Sequence, residues 1–158
     1  EPMAGIDTEI IGRTQIVCVL PAGHKLAQKP SIAAADLREE TLISYRATSL
    51  QGQLLREAFG REGLVFQPEM EIDVSIIGLA FVQQGLGVAV VDGLLPWHSF
   101  PGLVTRPFLP EVSLPLCLLT SARRPLSRSH DLLRAHLRTA CRDLGLLAAP
   151  GPDHKPVL

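Results

Sequence analysis

Ser44, Tyr45, Arg46, Thr48 and Ser49 crowd into one short stretch of the chain, and Asp73, Ser75 and Asp92 extend the polar set further on. Together they offer hydroxyls, a guanidinium and carboxylates, the groups that hold a small polar molecule through neutral and charge-assisted hydrogen bonds. Covalent chemistry would need more. A serine or threonine nucleophile requires a general base within reach, and no histidine stands near Ser44, Thr48, Ser49 or Ser75 in the sequence. As helix caps and ligand hydroxyls the same residues need no activation. No catalytic residue is assigned, and the chain is read as a binding protein, not an enzyme.

Other chemistries fail on spacing. His24, His98, His130, His136 and His154 are scattered, and His130 and His136 are six apart, on different faces of a helix. Cys18, Cys117 and Cys141 lack the spacing of a zinc site. Neither a metal nor a cofactor is expected. Gly85-Leu86-Gly87 resembles the opening of a dinucleotide loop, but it follows a helix and precedes a strand, the reverse of the order required. There is no Gly-x-Ser-x-Gly elbow and no phosphate-binding P-loop.

The elements that must position the polar residues follow from periodicity. Residues 1 to 13 read as a polar lead-in and Thr14 to Leu20 as a buried strand ended by Pro21 and Gly23. A short helix over Ile32 to Leu37 with Ser31 as its cap precedes a strand, Thr41 to Tyr45. Next comes a helix opening at Thr48 or Ser49, with Leu50, Leu54, Leu55, Ala58 and Phe59 as its buried stripe. Val65 to Ile72 is a third strand, and Ser75 caps a helix whose Ile76, Ile77, Ala80 and Phe81 form the apolar face. Gly85 closes that helix before a buried strand, Val88 to Val91. Strand, helix, strand, helix, strand argues for a parallel α/β sheet. In such a sheet the polar residues all fall at the carboxyl edge, where ligands bind. Beyond Asp92 a helical turn around Leu94 to Trp97, strands over Leu103 to Phe108 and Leu114 to Thr120, and a last helix capped by Ser127 complete the pattern. Leu133, Leu137, Ala140 and Leu144 form the apolar stripe of that helix.

Composition excludes other classes. Fifteen Lys and Arg against sixteen Asp and Glu leave a net charge of −1 over 158 residues, so nothing electrostatic favours DNA or a membrane surface, and this segment is not expected to bind DNA alone. One Trp, one Tyr and five Phe are too few for a base-stacking platform. The three cysteines sit in apolar contexts and read as reduced core thiols of a cytoplasmic protein. No apolar run reaches the length of a membrane span.

Laid out in order, the segments resemble the effector-binding domain of LysR-type transcriptional regulators. The likeness runs from about Gly12 to Leu144. It rests on IVCVLP followed by GHKLA, SIAAADL before TLISY, LLREAFGREGL, EMEIDVS leading to FVQQGLGVAVVD, the LVTRPF strand, and PLCLLTSARRPLS ahead of the last helix. The resemblance implies a two-lobed α/β fold like that of type 2 periplasmic binding proteins, with a small effector held between the lobes. It implies one complete three-layer lobe, residues 20–108, and only the C-terminal part of the other, residues 1–19 and 109–146, with 147–158 a flexible tail. It further implies a bacterial, cytoplasmic homo-oligomer that contacts DNA only through an N-terminal winged helix-turn-helix absent from this chain, which would make the chain a fragment of a longer regulator.

Carried over by position, Ser44 matches the family's second-lobe hydroxyl, Thr48 and Ser49 the polar turn opening the next helix, and Asp73 and Ser75 the polar positions before the helix facing the cleft. The ISY and VVD strings look most like members that sense amino acids or conjugates such as opines. A ligand carboxylate would then meet Ser75 or Arg46, and a ligand ammonium Asp73 or Asp92. Two alternatives share the fold: a secreted solute-binding protein, and an enzyme such as prephenate dehydratase. The latter has a Thr-Arg-Asp-Phe hallmark that Thr105-Arg106-Pro107-Phe108 resembles, with proline in place of the acid.

Overall fold

The computed structural model describes residues 5–123 and 127–146, with His98 described in its backbone alone. The expected tail over 147–158 lies outside the described residues. The chain divides into two compact units. One runs from Gln15 to Leu114, and the other comprises the residues up to Thr14 and from Pro115 onward.

The larger unit carries a sheet in the order β2 (Ile32–Ala33), β6 (Leu103–Leu109), β1 (Ile6–Pro21), β5 (Val88–Asp92), β3 (Leu42–Tyr45) and β4 (Met70–Ile72). β3, β4 and β5 are parallel, with Tyr45 opposite Ile72 and Ser44 opposite Val90. β1 runs antiparallel to β5 and β6, with Ile16 opposite Asp92. From β3 the chain passes outward through α1 (Leu50–Arg61) to β4, then back across β3 through α2 (Ser75–Gln83) to β5. This reversal creates a switch point beside β3, with the ends of three parallel strands on one edge. β3 and the first four residues of β5 are buried because both faces of the sheet are covered, which their unbroken apolar sequence anticipates. The core is continuous, from Ile16 and Val19 through Ile43, Leu55, Val90 and Phe108.

Several local expectations need correction. β1 already starts at Ile6, inside the segment read as a lead-in, because β7 (Ser113–Ser121) supplies it with a partner. Ile32 to Leu37 is not a helix: two strand residues pair with β6 and a single 3-10 turn, Ala34–Leu37, follows. Ser31 does not cap that turn; the Asp36 carboxylate accepts the Ala33 N–H at 3.0 Å. The third strand is shorter than Val65 to Ile72, beginning only at Met70, since Pro68 has no N–H for a ladder. On α1, Ser49 is the N-cap as expected, but Leu50 is exposed and the buried positions are Gly52, Leu55, Ala58 and Phe59.

The face of α2 is also different. Ser75, Gly78, Leu79 and Val82 are buried, whereas Ile76 and Ile77 are 42% and 47% exposed. Gly78 decides this: an added Cβ would lie 3.1 Å from Ile72 and 3.6 Å from Ala89, so the bare backbone lets the helix settle close onto the sheet. At its C-terminus Gly85, with φ +71°, lets the Leu86 N–H reach the Phe81 carbonyl at 3.0 Å and its own N–H reach Val82 at 2.9 Å, a Schellman closure.

In the smaller unit β7 pairs with β1, and α3 (Arg128–Asp143) is capped by Ser127 as expected. Glu9 on β1 receives Arg134 at 2.7 Å and is also bonded by Arg138, and these bonds, Arg138 first, hold its carboxyl below the usual value. The expected stripe of α3 is not buried. Leu133 and Leu144 are exposed and Cys141, beside Gly12, is the buried residue of the helix. Cys117 likewise lies on the open face of β7, not in a core, while Cys18 and Cys141 are buried.

Candidate functional site

The carboxyl edge of β3, β4 and β5 receives all eight residues singled out in the sequence, but it gives them different tasks. Ser44 is fully buried and its hydroxyl donates to the Val90 carbonyl on β5 at 2.6 Å, tying the two strands together. Tyr45, at the end of β3, reaches across to Asp92 at the end of β5 and donates to its Oδ2 at 2.6 Å. The Asp92 N–H returns a hydrogen bond to the same phenolic oxygen at 3.0 Å. Ser75 also donates to Asp92 Oδ2, and its oxygen lies 2.6 Å from that of Tyr45. Two hydroxyl protons thus serve three close oxygen pairs, so the bonds are shared rather than all made at once.

Ser75 was expected to cap α2. It is instead the first residue of the helix, the cap position is Val74, and no side-chain cap bond is made. Lying inside the first turn and not ahead of it, Ser75 is out of the capping position, and its hydroxyl proton goes to the Asp92 carboxylate. Asp92 completes its set through Oδ1, which accepts the Leu94 N–H at 3.0 Å, and its backbone carbonyl accepts the Trp97 indole N–H at 2.8 Å. Burial, and then the bond to Asp92, push the Tyr45 phenol above its ordinary pKa. The carboxylate therefore joins β3, α2 and the chain after β5.

The outer part of the edge is open. Arg46 Nη2 donates to Asp73 Oδ2 at 2.8 Å, with both side chains more than half exposed. Ser49 accepts the Gly52 N–H at 3.0 Å and donates to the Arg46 carbonyl at 2.8 Å, fixing the turn from which Arg46 projects. Thr48 is exposed beside it, and its carbonyl accepts from the Gln53 side chain. Gly52, which as a glycine in the first turn of a helix reads as a tolerable cost in the sequence, is required here: an added Cβ would stand 2.0 Å from the Arg46 carbonyl oxygen. Sequence reasoning missed this contact, along with the Trp97 and Leu94 bonds to Asp92.

A half-open cavity of about 400 Å³ lies elsewhere, at the amino end of β3, among Leu37, Arg38, Leu42, Phe59, Leu64 and Glu69. Its carboxylates are committed, Glu69 to the Leu42 N–H at 2.6 Å and Glu40 to Lys25 and His24. Among the described residues no cluster of three potential metal ligands occurs, and no helix is long and apolar enough to cross a membrane. Arg106, of the Thr-Arg-Pro-Phe string, spends its guanidinium on the carbonyls of Ala27, Lys29 and Thr105. That is a structural role, not a catalytic one.

The LysR substrate binding domain family matches residues 1–142, and the chain belongs to that family. Particular relatives sharpen the match. Regulatory protein NocR of Agrobacterium tumefaciens (strain T37) is 28% identical over 141 residues, covering 89% of this chain and 47% of that protein. Transcriptional activator protein LysR of Escherichia coli (strain K12) is 31% identical over 132 residues, covering 83% of this chain and 42% of that protein. The chain thus spans less than half the length of these relatives, which are regulators and not enzymes. The BenM effector binding domain, solved with its effector benzoate, superimposes with a TM-score of 0.72 at 18% identity over 98% of this chain and 72% of that one. The fold is accordingly the α/β, type 2 periplasmic-binding-protein-like fold of LysR effector-binding domains.

Proposed function

We propose that the chain is the effector-sensing part of a bacterial LysR-type transcriptional regulator, with the carboxyl edge of β3, β4 and β5 as one wall of the site for a small polar metabolite. The observation that carries this reading is the convergence of eight polar residues on three parallel strand ends at a switch point, the place where open α/β sheets bind ligands. Arg46, Thr48, Ser49 and Asp73 form the accessible rim, while Ser44, Tyr45, Ser75 and Asp92 brace the wall behind it. The ligand class is an amino acid or an amino-acid derivative, for which a rim carrying both charges is suited.

In this reading residues 20–108 form the second lobe, and residues 1–19 with 109–146 form part of the first. The longer regulator is a cytoplasmic homo-oligomer that contacts DNA through an N-terminal winged helix-turn-helix. Effector binding shifts the population between conformations that present the DNA-binding arms differently. A secreted solute-binding protein is the competing reading, and the sequence upstream of Glu1 separates the two: a helix-turn-helix supports the regulator and a secretion signal overturns it.

Thermal-shift screening of the full-length regulator against a metabolite library tests the site. The expected result is stabilisation by at least one small polar metabolite, abolished by Thr48→Trp, which fills the rim at an exposed position. Stabilisation that Thr48→Trp leaves intact overturns this location.

A further inference from the structure

We infer that Arg46 and Asp73 are the specificity pair of this edge, reading the carboxylate and the ammonium of a zwitterionic α-amino-acid head group, and that Asp92 does not touch the ligand. This rests on the proposed effector site and assigns its charge recognition to two residues.

Strand register places the pair. Tyr45 is opposite Ile72 on the last rung of the β3–β4 ladder, so the next residue of each strand, Arg46 and Asp73, leaves the sheet beside the other. Their side chains meet at 2.8 Å and are 56% and 63% exposed. An ion pair in that much solvent contributes little to stability, so either partner exchanges at small cost. A ligand carboxylate that takes the Arg46 guanidinium frees Asp73, and a ligand ammonium then takes Asp73. Every charge remains paired. A ligand bearing one charge engages one half of the pair, returns the other to solvent and forgoes one charge-assisted bond, which is the basis of discrimination. Arg46 lies one short turn before the start of α1, whose N-terminal dipole favours an anion.

Asp92 offers no such exchange. Oδ2 accepts from Tyr45 and Ser75, and Oδ1 accepts from the Leu94 N–H. An ammonium would have to compete with three internal donors, two of them on buried residues. The sequence left both Asp73 and Asp92 open for the ammonium; the geometry points to Asp73.

Calorimetry of the full-length regulator tests this with the common L-α-amino acids, each beside the matched amine lacking the carboxyl and the matched acid lacking the amino group. At least one amino acid is expected to bind, with its amine and its acid each at least about tenfold weaker, as the loss of one charge-assisted bond requires. The Arg46→Ala/Asp73→Ala variant is expected to lose at least about tenfold in amino-acid affinity while its unfolding temperature stays unchanged, because the pair is exposed. Amino-acid affinity unaltered in that variant overturns the inference. So does benzoate, titrated beside the panel, binding as tightly as the best amino acid, or no panel member binding at all. If benzoate binding is abolished by Thr48→Trp, the zwitterion falls while the effector edge stands. Binding indifferent to both variants overturns the two together.

Discussion

Ser75 gives its hydroxyl to Asp92, a residue at the end of a different strand, and leaves the start of its own helix uncapped. A serine at this place in a sequence reads as a cap, and the cap is a local solution to a local deficit of acceptors. Here a long-range acceptor wins. The carboxylate of Asp92 collects Ser75 from α2, Tyr45 from β3 and Leu94 from the chain after β5, so three separate segments are held at one point behind the rim. Arg46 directly follows Tyr45 at the end of β3, and Asp73 directly follows Ile72 at the end of β4.

Removal of the members of this network is expected to cost different amounts. Ser75→Ala leaves Asp92 two donors and should destabilise by about 1 kcal/mol. Tyr45→Phe removes a donor to the carboxylate and also the acceptor of the Asp92 N–H, leaving that amide unpaired, and should cost about 1–3 kcal/mol. Because both hydroxyls share Oδ2, the two changes should not add, with a coupling of about 0.5–3 kcal/mol. Urea unfolding of the two single variants and the double variant measures all three quantities. Additive losses, or a larger loss for Ser75→Ala, contradict a shared carboxylate.

Tyr45 is the single tyrosine of the chain, so its ionisation is visible directly by ultraviolet absorbance of tyrosinate. Burial and the Asp92 bond raise its pKa in the folded protein, whereas the unfolded chain ionises near the ordinary value of about 10. Above that pH the unfolded state has lost a proton that the folded state keeps, so the unfolded state is favoured and stability falls as pH rises. Below it both states are protonated and Tyr45 contributes no pH dependence. Tyrosinate absorbance is expected to rise only together with unfolding. A reversible titration near pH 10 in the folded protein would show that the phenol is not enclosed.

Much of the fold was legible because its signals are local. The unbroken apolar runs of β3 and β5, the Ser49 cap of α1 and the Gly85 closure of α2 each lie within a few residues of sequence. The polar edge was legible for the same reason, since strand ends followed by helix starts place residues together whatever the details of packing. The packing faces were not. Ile76 and Ile77 are more apolar than Gly78, and periodicity alone put them inside. Close approach to the sheet rewards the residue with no side chain, and that preference is set by Ile43, Ile72 and Ala89, which lie on three different strands. The bonds that Asp92 makes were not legible either, because both hydroxyls that engage it come from other elements.

Gly52 and Gly60 lie in the same helix and should respond oppositely to alanine. In a helix interior alanine normally stabilises relative to glycine by about 0.5–1 kcal/mol, since glycine has more conformational freedom to lose. Gly60 has nothing within 4 Å of the position of an added Cβ, so Gly60→Ala should show that gain. At Gly52 the same atom would stand 2.0 Å from the Arg46 carbonyl oxygen, a backbone atom already held by Ser49. Relief requires the turn or the helix start to move, and Gly52→Ala should destabilise by about 1–3 kcal/mol. The displaced turn carries Arg46, so this variant should also weaken effector binding, whereas Gly60→Ala should leave it unchanged. Unfolding curves and ligand titrations on the two variants read both effects. A stabilising Gly52→Ala with full binding would show that the approach of α1 to the Arg46 carbonyl is not what the position requires.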